Sequence, residues 1–366
     1  MDHHTERSRP TPIPSKIVTL KDVADRCGVN IMTVSRALRF EKNPHVSQAT
    51  AERVRAAAAE LGYDPSRTLS ARRLVAQRHS TSYINHAIAV FFSPYFYQEP
   101  YYCRIYQGIL DVMLPEEYAL VMVHVYNPNV KPGELTRIPN IVARGEVDGM
   151  LAFPSEELLR LIETQVHPHA GASRLPLVGM LQECPGYSAV TVDEFRGGEL
   201  AVGHLLDLGH RAILAFSTLP QRMAGYRQAY ARRGIPADTL YTAQWTPDPD
   251  RVGRYVAPMW RMLAAHTDVT AIVAPNDLVA QDIAGALMAR GDRIPEDISL
   301  VSNDDTRPVL PHHQEPTLTT VRLPLEEVGR LAAERLLREI NHPDTAVQQV
   351  CLPVELIVRS STARRV

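Results

Sequence analysis

The sequence predicts a small all-α helix-turn-helix head followed by a larger α/β body of two doubly wound parallel-sheet lobes. Three observations carry that reading. The 366-residue chain has a formal net charge of −2, yet residues 1–80 hold 14 Lys/Arg against 8 Asp/Glu, so a basic head sits on an acidic body. Between residues 17 and 64, three short stretches each open on a helix-capping side chain, and two of them close on a glycine. From residue 87 onward, short β-branched runs alternate with amphipathic stretches of 10–16 residues. That is the pattern of parallel sheets covered by helices on both faces. At 45% apolar content the chain has enough material for two or three modest cores.

Residues 1–16 are polar, with Pro10, Pro12 and Pro14, and read as a disordered tail. They contain no apolar segment, which opposes a signal peptide. No apolar run approaches the ~18 residues of a membrane helix. Cys27, Cys103, Cys184 and Cys351 lie far apart without a CxxC, which opposes a zinc or disulfide framework and suits a reducing cytoplasm.

In the head, Thr19 and Asp22 form a capping box in front of a first helix that buries Val23, Ala24 and Cys27 and stops at Gly28. Asn30 caps a second helix from Ile31 to about Leu38. Ser47 caps a third that runs through Val54 to Leu61 and ends at Gly62. Small Ala24, turn-forming Gly28 and apolar Val34 have the spacing of a helix-turn-helix, whose second helix lies in the major groove. On a helical wheel Val34, Ala37 and Leu38 share one side, while Met32 and Arg36 lie opposite. So small a module offers no core to that second face. Arginine binds guanine O6/N7 bidentately and apolar groups meet a thymine methyl, so the face is suited to reading bases.

These residues carry a resemblance. Val18-Thr-Leu-Lys-Asp-Val-Ala-Asp-Arg-Cys-Gly-Val29, Thr33-Val-Ser-Arg-Ala-Leu38, Val46-Ser47 and Glu60-Leu-Gly-Tyr-Asp-Pro65 resemble the head of the LacI/GalR family of bacterial transcription regulators. The resemblance implies that Ile31, Met32 and Arg36 take base-reading positions and that Thr33 and Ser35 hold phosphates. It also implies a hinge helix in residues 65–86 that wedges a leucine into the minor groove. Here Ser66-Arg-Thr-Leu-Ser-Ala-Arg-Arg-Leu74 departs in register, because Arg72 stands where the family leucine is expected. Either Leu69 or Leu74 is the candidate wedge, and a flexible basic linker that meets only phosphates is the alternative.

In the body, residues 87–366, the strand candidates are Ala87–Phe92, Ala119–Val125, Gly149–Phe153, Leu177–Met180, Val190–Asp193, Ala212–Phe216, Ala271–Ala274 and Ser299–Ser302. The helix candidates are Tyr101–Leu114, Phe195–Leu208, Met223–Arg233, Leu278–Arg290 and Leu325–Ile340. In such sheets a ligand binds beyond the carboxyl ends of the strands. The segments there carry Tyr95 and Phe96, Leu181-Gln182, Asp193-Glu-Phe-Arg196, Arg222, Asn276-Asp277 and Asp304-Asp305. Carboxylates, amides, an arginine and rings suit a polar small molecule. Asn or Asp after a strand also serves as a turn or helix cap, and that plainer role stands beside the binding one for Asn276 and Asp305.

Val147-Asp-Gly-Met150, Asp207-Leu-Gly-His-Arg211, Arg222-Met-Ala-Gly-Tyr226, Ile294-Pro-Glu-Asp-Ile-Ser299, Pro316-Thr-Leu-Thr-Thr-Val321 and Arg359-Ser-Ser-Thr362 extend the resemblance through the body. It implies an effector cleft between two lobes similar to periplasmic sugar-binding proteins. Arg222, Asn276 and Asp304 match effector contacts, with Tyr95 and Phe96 nearby. By the same analogy, lobe 1 spans about 87–189 and 317–340, and lobe 2 about 190–316 and 341–366. Two departures bear on the pocket: Leu181-Gln182 replaces a frequent aspartate, and Asn303 replaces a frequent phenylalanine. No heptad tail follows Arg359-Ser-Ser-Thr362, so a homodimer rather than a tetramer is expected.

The expectation is a cytoplasmic, ligand-responsive transcription regulator, most simply a repressor. It binds a pseudo-palindromic operator as a dimer and answers to a sugar, sugar acid or related metabolite. A transport solute-binding protein shares the body fold and is the alternative, opposed by the basic head. No GxGxxG, GxxxxGK[ST] or GxSxG occurs, which opposes an enzyme, and no cofactor is expected. The pairs His3-His4, His167/His169 and His312-His313 lack carboxylate or cysteine companions at ligand spacing, so no metal is expected.

Overall fold

The structure is a computed structural model that describes residues 18–39, 46–63, 85–92, 100–124, 137–167, 174–217, 219–243 and 256–365. The tail 1–16, Leu69, Leu74, Tyr95 and Phe96 lie outside the described residues. The chain divides into two compact units, residues 1–84 and 85–366.

The first unit holds α1 (Leu20–Cys27), α2 (Ile31–Arg39) and α3 (Gln48–Leu61). Thr19 and Asp22 form the expected capping box, and Gly28 ends α1 in the left-handed conformation at φ 63°. The Asn30 side chain accepts from the Thr33 amide at 2.7 Å, and Ser47 accepts from Thr50. Val23, Ala24, Val34, Ala37, Ala51, Val54, Ala57 and Ala58 form one core. Small residues dominate it because three short helices must approach closely to bury anything at all. Arg26 donates to Glu60 at 2.8 Å and ties α1 to α3 across the surface.

The second unit runs β1 (Ala87–Phe92), α4 (Pro100–Met113), β2 (Ala119–His124), α5 (Asn140–Ala143), β3 (Gly149–Ala152), α6 (Glu156–Gln165), β4 (Leu177–Leu181) and β5 (Ser188–Val192). It continues with α7 (Glu194–Asp207), β6 (Ile213–Phe216), α8 (Pro220–Arg232), β7 (Leu240–Ala243), α9 (Val256–Ala265), β8 (Ala271–Val273), α10 (Asp277–Arg290) and β9 (Ser299–Asp304). Last come β10 (Thr319–Arg322), α11 (Leu325–Asn341), β11 (Gln349–Leu352) and β12 (Glu355–Ile357).

Among the described residues these strands make two six-stranded sheets, ordered β11-β5-β4-β3-β1-β2 and β12-β10-β9-β8-β6-β7. The second order repeats the first with β6–β10 standing for β1–β5. All pairings are parallel except β10 with β12. That antiparallel edge departs from the wholly parallel expectation. Each sheet has its own apolar cluster, around Phe91, Met150 and Ile162 in lobe 1 and around Phe216, Ile283 and Leu300 in lobe 2.

The lobe membership differs from the expected 317–340 and 341–366. Strand β10 pairs with β9, so Thr319–Arg322 belong to lobe 2. Strand β11 pairs with β5, so Gln349–Leu352 belong to lobe 1. The chain therefore crosses between lobes after Val192, after Arg322 and after Leu352. The edge strands β11 and β12 are partly exposed, which is why they lack the apolar runs that mark central strands. In lobe 2, α7 and α8 cross in direct backbone contact. A methyl on Gly198 would meet the Arg222 carbonyl, and one on Gly225 would meet the Phe195 carbonyl. The crossing brings the first turns of the two helices together at the carboxyl rim of the sheet.

Candidate nucleic-acid interface and effector cleft

In the head, α2 buries Val34 completely and leaves Ala37 at 1% exposure, while Ile31 and Met32 are 48% and 62% exposed. Arg36 is exposed on the same side as Met32, and Thr33 and Ser35 are half-buried between the two faces. The Thr33 hydroxyl donates to Asn30 Oδ1 at 2.9 Å, so it also takes part in the cap. The expected division of α2 into a core face and an outward face is thus present. Large apolar side chains at the start of an exposed helix, one turn from an arginine, form a surface that a major groove can receive.

In the body, both sheets reverse strand order beside their first strand, β1/β3 in lobe 1 and β6/β8 in lobe 2. The crevice at such a reversal is where open α/β sheets bind ligands. Arg222 enters there from the first turn of α8. Its residue is 5% exposed, its Nε donates to Glu194 Oε2 at 2.7 Å, and its Nη1 donates to the Pro275 carbonyl at 2.8 Å. Burial works against the charge, but Glu194, Tyr226 and Asp304 lift the guanidinium above its ordinary value. Tyr226, one turn further along α8, is fully buried, and burial pushes its phenol up to about 12.

Asp304 ends β9 at 9% exposure and φ 105°, and Asp305 follows at φ 54°. Two successive non-glycine residues with positive φ store strain of ~1–3 kcal/mol each, a feature that clusters at ligand sites. Asp304 faces Tyr101 from the other lobe. The half-buried Tyr101 phenol is pushed well above its usual range, by desolvation first and then by Asp304, Tyr102 and Glu194. Arg222, Asp304, Glu194 and Tyr101 therefore converge on one cleft, and the first two were singled out from sequence. Glu194 stood only within the rim segment Asp193-Glu-Phe-Arg196. Tyr101 was hidden in an amphipathic helix, where an aromatic reads as core.

Asn276 is half-buried and caps α10, accepting from the Val279 amide at 2.9 Å. Its plainer role is present, and the cap uses only the amide oxygen. Asp277 is a brace: its carboxylate accepts from the Thr306 and Arg307 amides at 2.8 and 3.0 Å and from the Thr320 hydroxyl at 2.9 Å. Asp305 accepts from Arg322 at 2.7 Å and Arg359 at 2.8 Å, which ties β10 and the C-terminal segment to the strained turn. Asn303 was expected to alter pocket polarity. It is 1% exposed and its amide donates to the Ala274 carbonyl at 3.0 Å, so its polarity serves a brace between the ends of β8 and β9. Leu181, at the other departure, is half-buried at φ 66°.

His167 lies against Glu163 and Tyr187, with its Nδ1 at 3.1 and 3.2 Å from their oxygens, and His169 lies outside the described residues. Among the described residues no three His, Cys, Asp or Glu side chains group as metal ligands. No described helix is long and apolar enough to cross a membrane.

Comparison with known proteins gives two family matches. Residues 19–66 match the bacterial regulatory proteins of the lacI family, and residues 202–362 match a periplasmic binding protein-like domain. The chain is 32% identical over 358 residues to the HTH-type transcriptional regulator CelR of Thermobifida fusca, covering 94% of this chain and 98% of that protein. It is 27% identical to the HTH-type transcriptional repressor PurR of Haemophilus influenzae, covering 94% and 98%. Among solved structures, a complex of CelR with cellobiose matches with a TM-score of 0.63 at 27% identity, covering 94% of this chain and 99% of that one.

Proposed function

The chain belongs to the LacI family of bacterial regulatory proteins, and from that membership we propose how it works: as a cytoplasmic, homodimeric repressor that reads a pseudo-palindromic operator and answers to a small polar metabolite. Residues 17–64 bind DNA, 65–86 form the hinge, and 87–366 bind the effector and dimerise. Ile31, Met32 and Arg36 read bases, Thr33 and Ser35 hold phosphates, and Leu69 or Leu74 supplies a minor-groove wedge. Arg222, Asn276 and Asp304 contact the effector, with Tyr95 and Phe96 beside them. The effector is a sugar, sugar acid or related polyhydroxylated compound, in keeping with the cellobiose bound by the similar CelR structure.

The observation that carries this reading is the outward face of α2, where Met32 stands 62% exposed beside Arg36 with no core to cover it. A solute-binding protein of transport has no use for such a head, and the relatives matched over nearly the whole chain are regulators of transcription. For the same reason the chain is a regulator and not an enzyme.

The test is binding of the full-length protein to DNA from upstream of its own gene. Expected are two heads per site and a steep salt dependence, on the order of a 10³-fold loss between 50 and 200 mM if six or more phosphates are neutralised. A monomer in sedimentation at micromolar concentration, or one head bound per operator, removes the dimer model. Equal affinity for the upstream DNA and a scrambled duplex removes sequence-specific repression.

A further inference from the structure

Helices α7 and α8, with Leu356 of β12, line an open groove of about 590 Å³, and every residue that lines it is among the described ones. That volume is in the range of small-molecule sites. Its polar centre is Glu199, 5% exposed. One arginine from each helix reaches that carboxylate. Arg196 Nη1 donates to Oε2 at 2.6 Å, and Arg232 Nη1 stands 2.7 Å from Oε1. A buried carboxylate demands a counter-charge, and one arginine supplies it. The second leaves the group with a positive charge. Among the described residues Glu199 is the only side-chain partner of either arginine, and both arginines are about half exposed, so their Nε and Nη2 groups are free to donate. The other polar groups of the groove are spent. Arg233 donates to Asp207 through Nε at 2.7 Å and Nη2 at 2.6 Å, and to the Ala229 carbonyl through Nη1 at 3.1 Å. His204 lies 2.9 Å from the Thr362 hydroxyl, and burial lowers its pKa, which keeps the ring neutral.

We propose that this groove is a second ligand site, which takes the phosphate group of a small phosphate monoester. Two guanidinium groups held on one carboxylate present two forks of N–H donors side by side. A phosphate offers three strong acceptor oxygens and up to two negative charges, so it accepts from both forks, whereas one fork satisfies a carboxylate. Leu200 and Leu356, both half-buried, give the carbon body of the ester an apolar wall. Stability alone does not call for the second arginine, because exposed ion pairs contribute little to it. Arg222 and Glu194 do not line the groove, so the proposal does not rest on the cleft being the effector site. A ligand here touches both helices of the glycine crossing and so braces the elements that carry the cleft pair.

Calorimetric titration of the full-length protein tests the site with glucose 6-phosphate, ribose 5-phosphate, glycerol 3-phosphate, inorganic phosphate and inorganic sulfate. At least one ester binds saturably at or below roughly 1 mM, and added salt weakens it. Arg196→Gln and Arg232→Gln each leave Glu199 with the other arginine and an amide donor, so both variants fold, as melting temperature verifies. Each binds the ester roughly tenfold or more weaker, having lost one charged fork. Arg222→Lys binds it within a few fold of wild type, which separates the groove from the cleft. No saturable binding by any ester overturns the proposal, as does wild-type affinity in the two folded arginine variants. Binding lost in Arg222→Lys and kept in the groove variants assigns the ester to the cleft and overturns the second site. Sulfate that binds as tightly as the best ester reduces the groove to an oxyanion contact and overturns the assignment to a monoester.

Discussion

Arg222 and Glu194 meet at 2.7 Å from two helices that cross on glycines, with side-chain exposures of 6% and 13%. The pair is both a structural tie and part of the carboxyl rim where the effector is proposed to bind. A surface ion pair contributes little to stability, but removing one partner of a buried pair leaves an uncompensated charge and costs ~3–5 kcal/mol. The same two side chains therefore link the stability of lobe 2 to the chemistry of the cleft.

Arg222→Lys keeps the charge but loses the fork that spans Glu194 and the Pro275 carbonyl. Expected are a lower melting temperature, a blunted effector response and effector-free operator affinity within a few fold of wild type. Asp304→Asn keeps the size of the side chain and blunts the response with a smaller loss of melting temperature. Melting, bare operator affinity and effector response are measured on the same samples. A full response in both variants moves the effector site elsewhere.

Gly225→Ala places a methyl against the Phe195 carbonyl, so α7 and α8 must move apart. Overpacking of this kind costs ~1–3 kcal/mol, and more where backbone is the obstacle. The separation also pulls Arg222 from Glu194. Urea unfolding of the variant tests the first effect, and calorimetric effector binding tests the second. Wild-type values for both place slack in the crossing that the structure lacks.

Arg36→Ala leaves the head core untouched, since the side chain is exposed on α2. Loss of one bidentate base contact costs ~1–3 kcal/mol on the operator and relaxes preference at one base pair. The helical signal of the head is unchanged. Equal losses on operator and scrambled DNA reduce Arg36 to a phosphate contact.

Three histidines, one buried and two half-buried, withdraw stability from the body as pH falls from 7.5 to 5.5, while Asp148 and Asp277, whose carboxyls burial pushes up, contribute with the opposite sign. Burial depresses the pKa of His167, His204 and His210 in the folded chain. The unfolded chain then binds more protons than the folded one below the unfolded histidine pKa near ~6.5, so the stabilisation present above that value is lost as pH falls through the folded values. His210 is 3% exposed, and its Nδ1 and Nε2 lie 2.8 Å from Thr270 Oγ1 and 3.1 Å from the Ala363 carbonyl. The carbonyl requires the proton on Nε2, leaving Nδ1 to accept from the threonine. His210→Gln lowers stability at pH 7.5 and flattens the slope toward 5.5. A variant with the wild-type slope assigns the titration to the other two histidines.

Much of the fold was legible because its signals are local. A capping side chain three residues from the amide it accepts, a glycine at a left-handed stop and an apolar run long enough for a buried strand need no partner to be read. Thr19, Asn30, Ser47 and Gly28 announced the three head helices, and Ala87–Phe92 appeared as β1 with the expected bounds. Two late edge strands announced nothing: β11 and β12 are held by pairing with β5 and β10, and their partial exposure leaves no apolar run, whereas the apolar edge strand β2 was legible.

The candidate site divides along the same line. By itself the sequence determined that a basic helix-turn-helix precedes a doubly wound body, and that Arg222, Asn276 and Asp304 belong on its carboxyl rim. Which polar groups face a ligand and which are spent on the protein was decided only by tertiary structure. Asp305 is used by Arg322 and Arg359, Asn303 by Ala274, Asp277 by the loop beyond β9, and Arg222 in part by Glu194. A side chain's partner is set by the crossing of elements dozens of residues apart, here α7 over α8 and one lobe against the other. Distance and burial at those crossings turn a list of polar residues into braces and contacts, and neither quantity exists until the chain has closed.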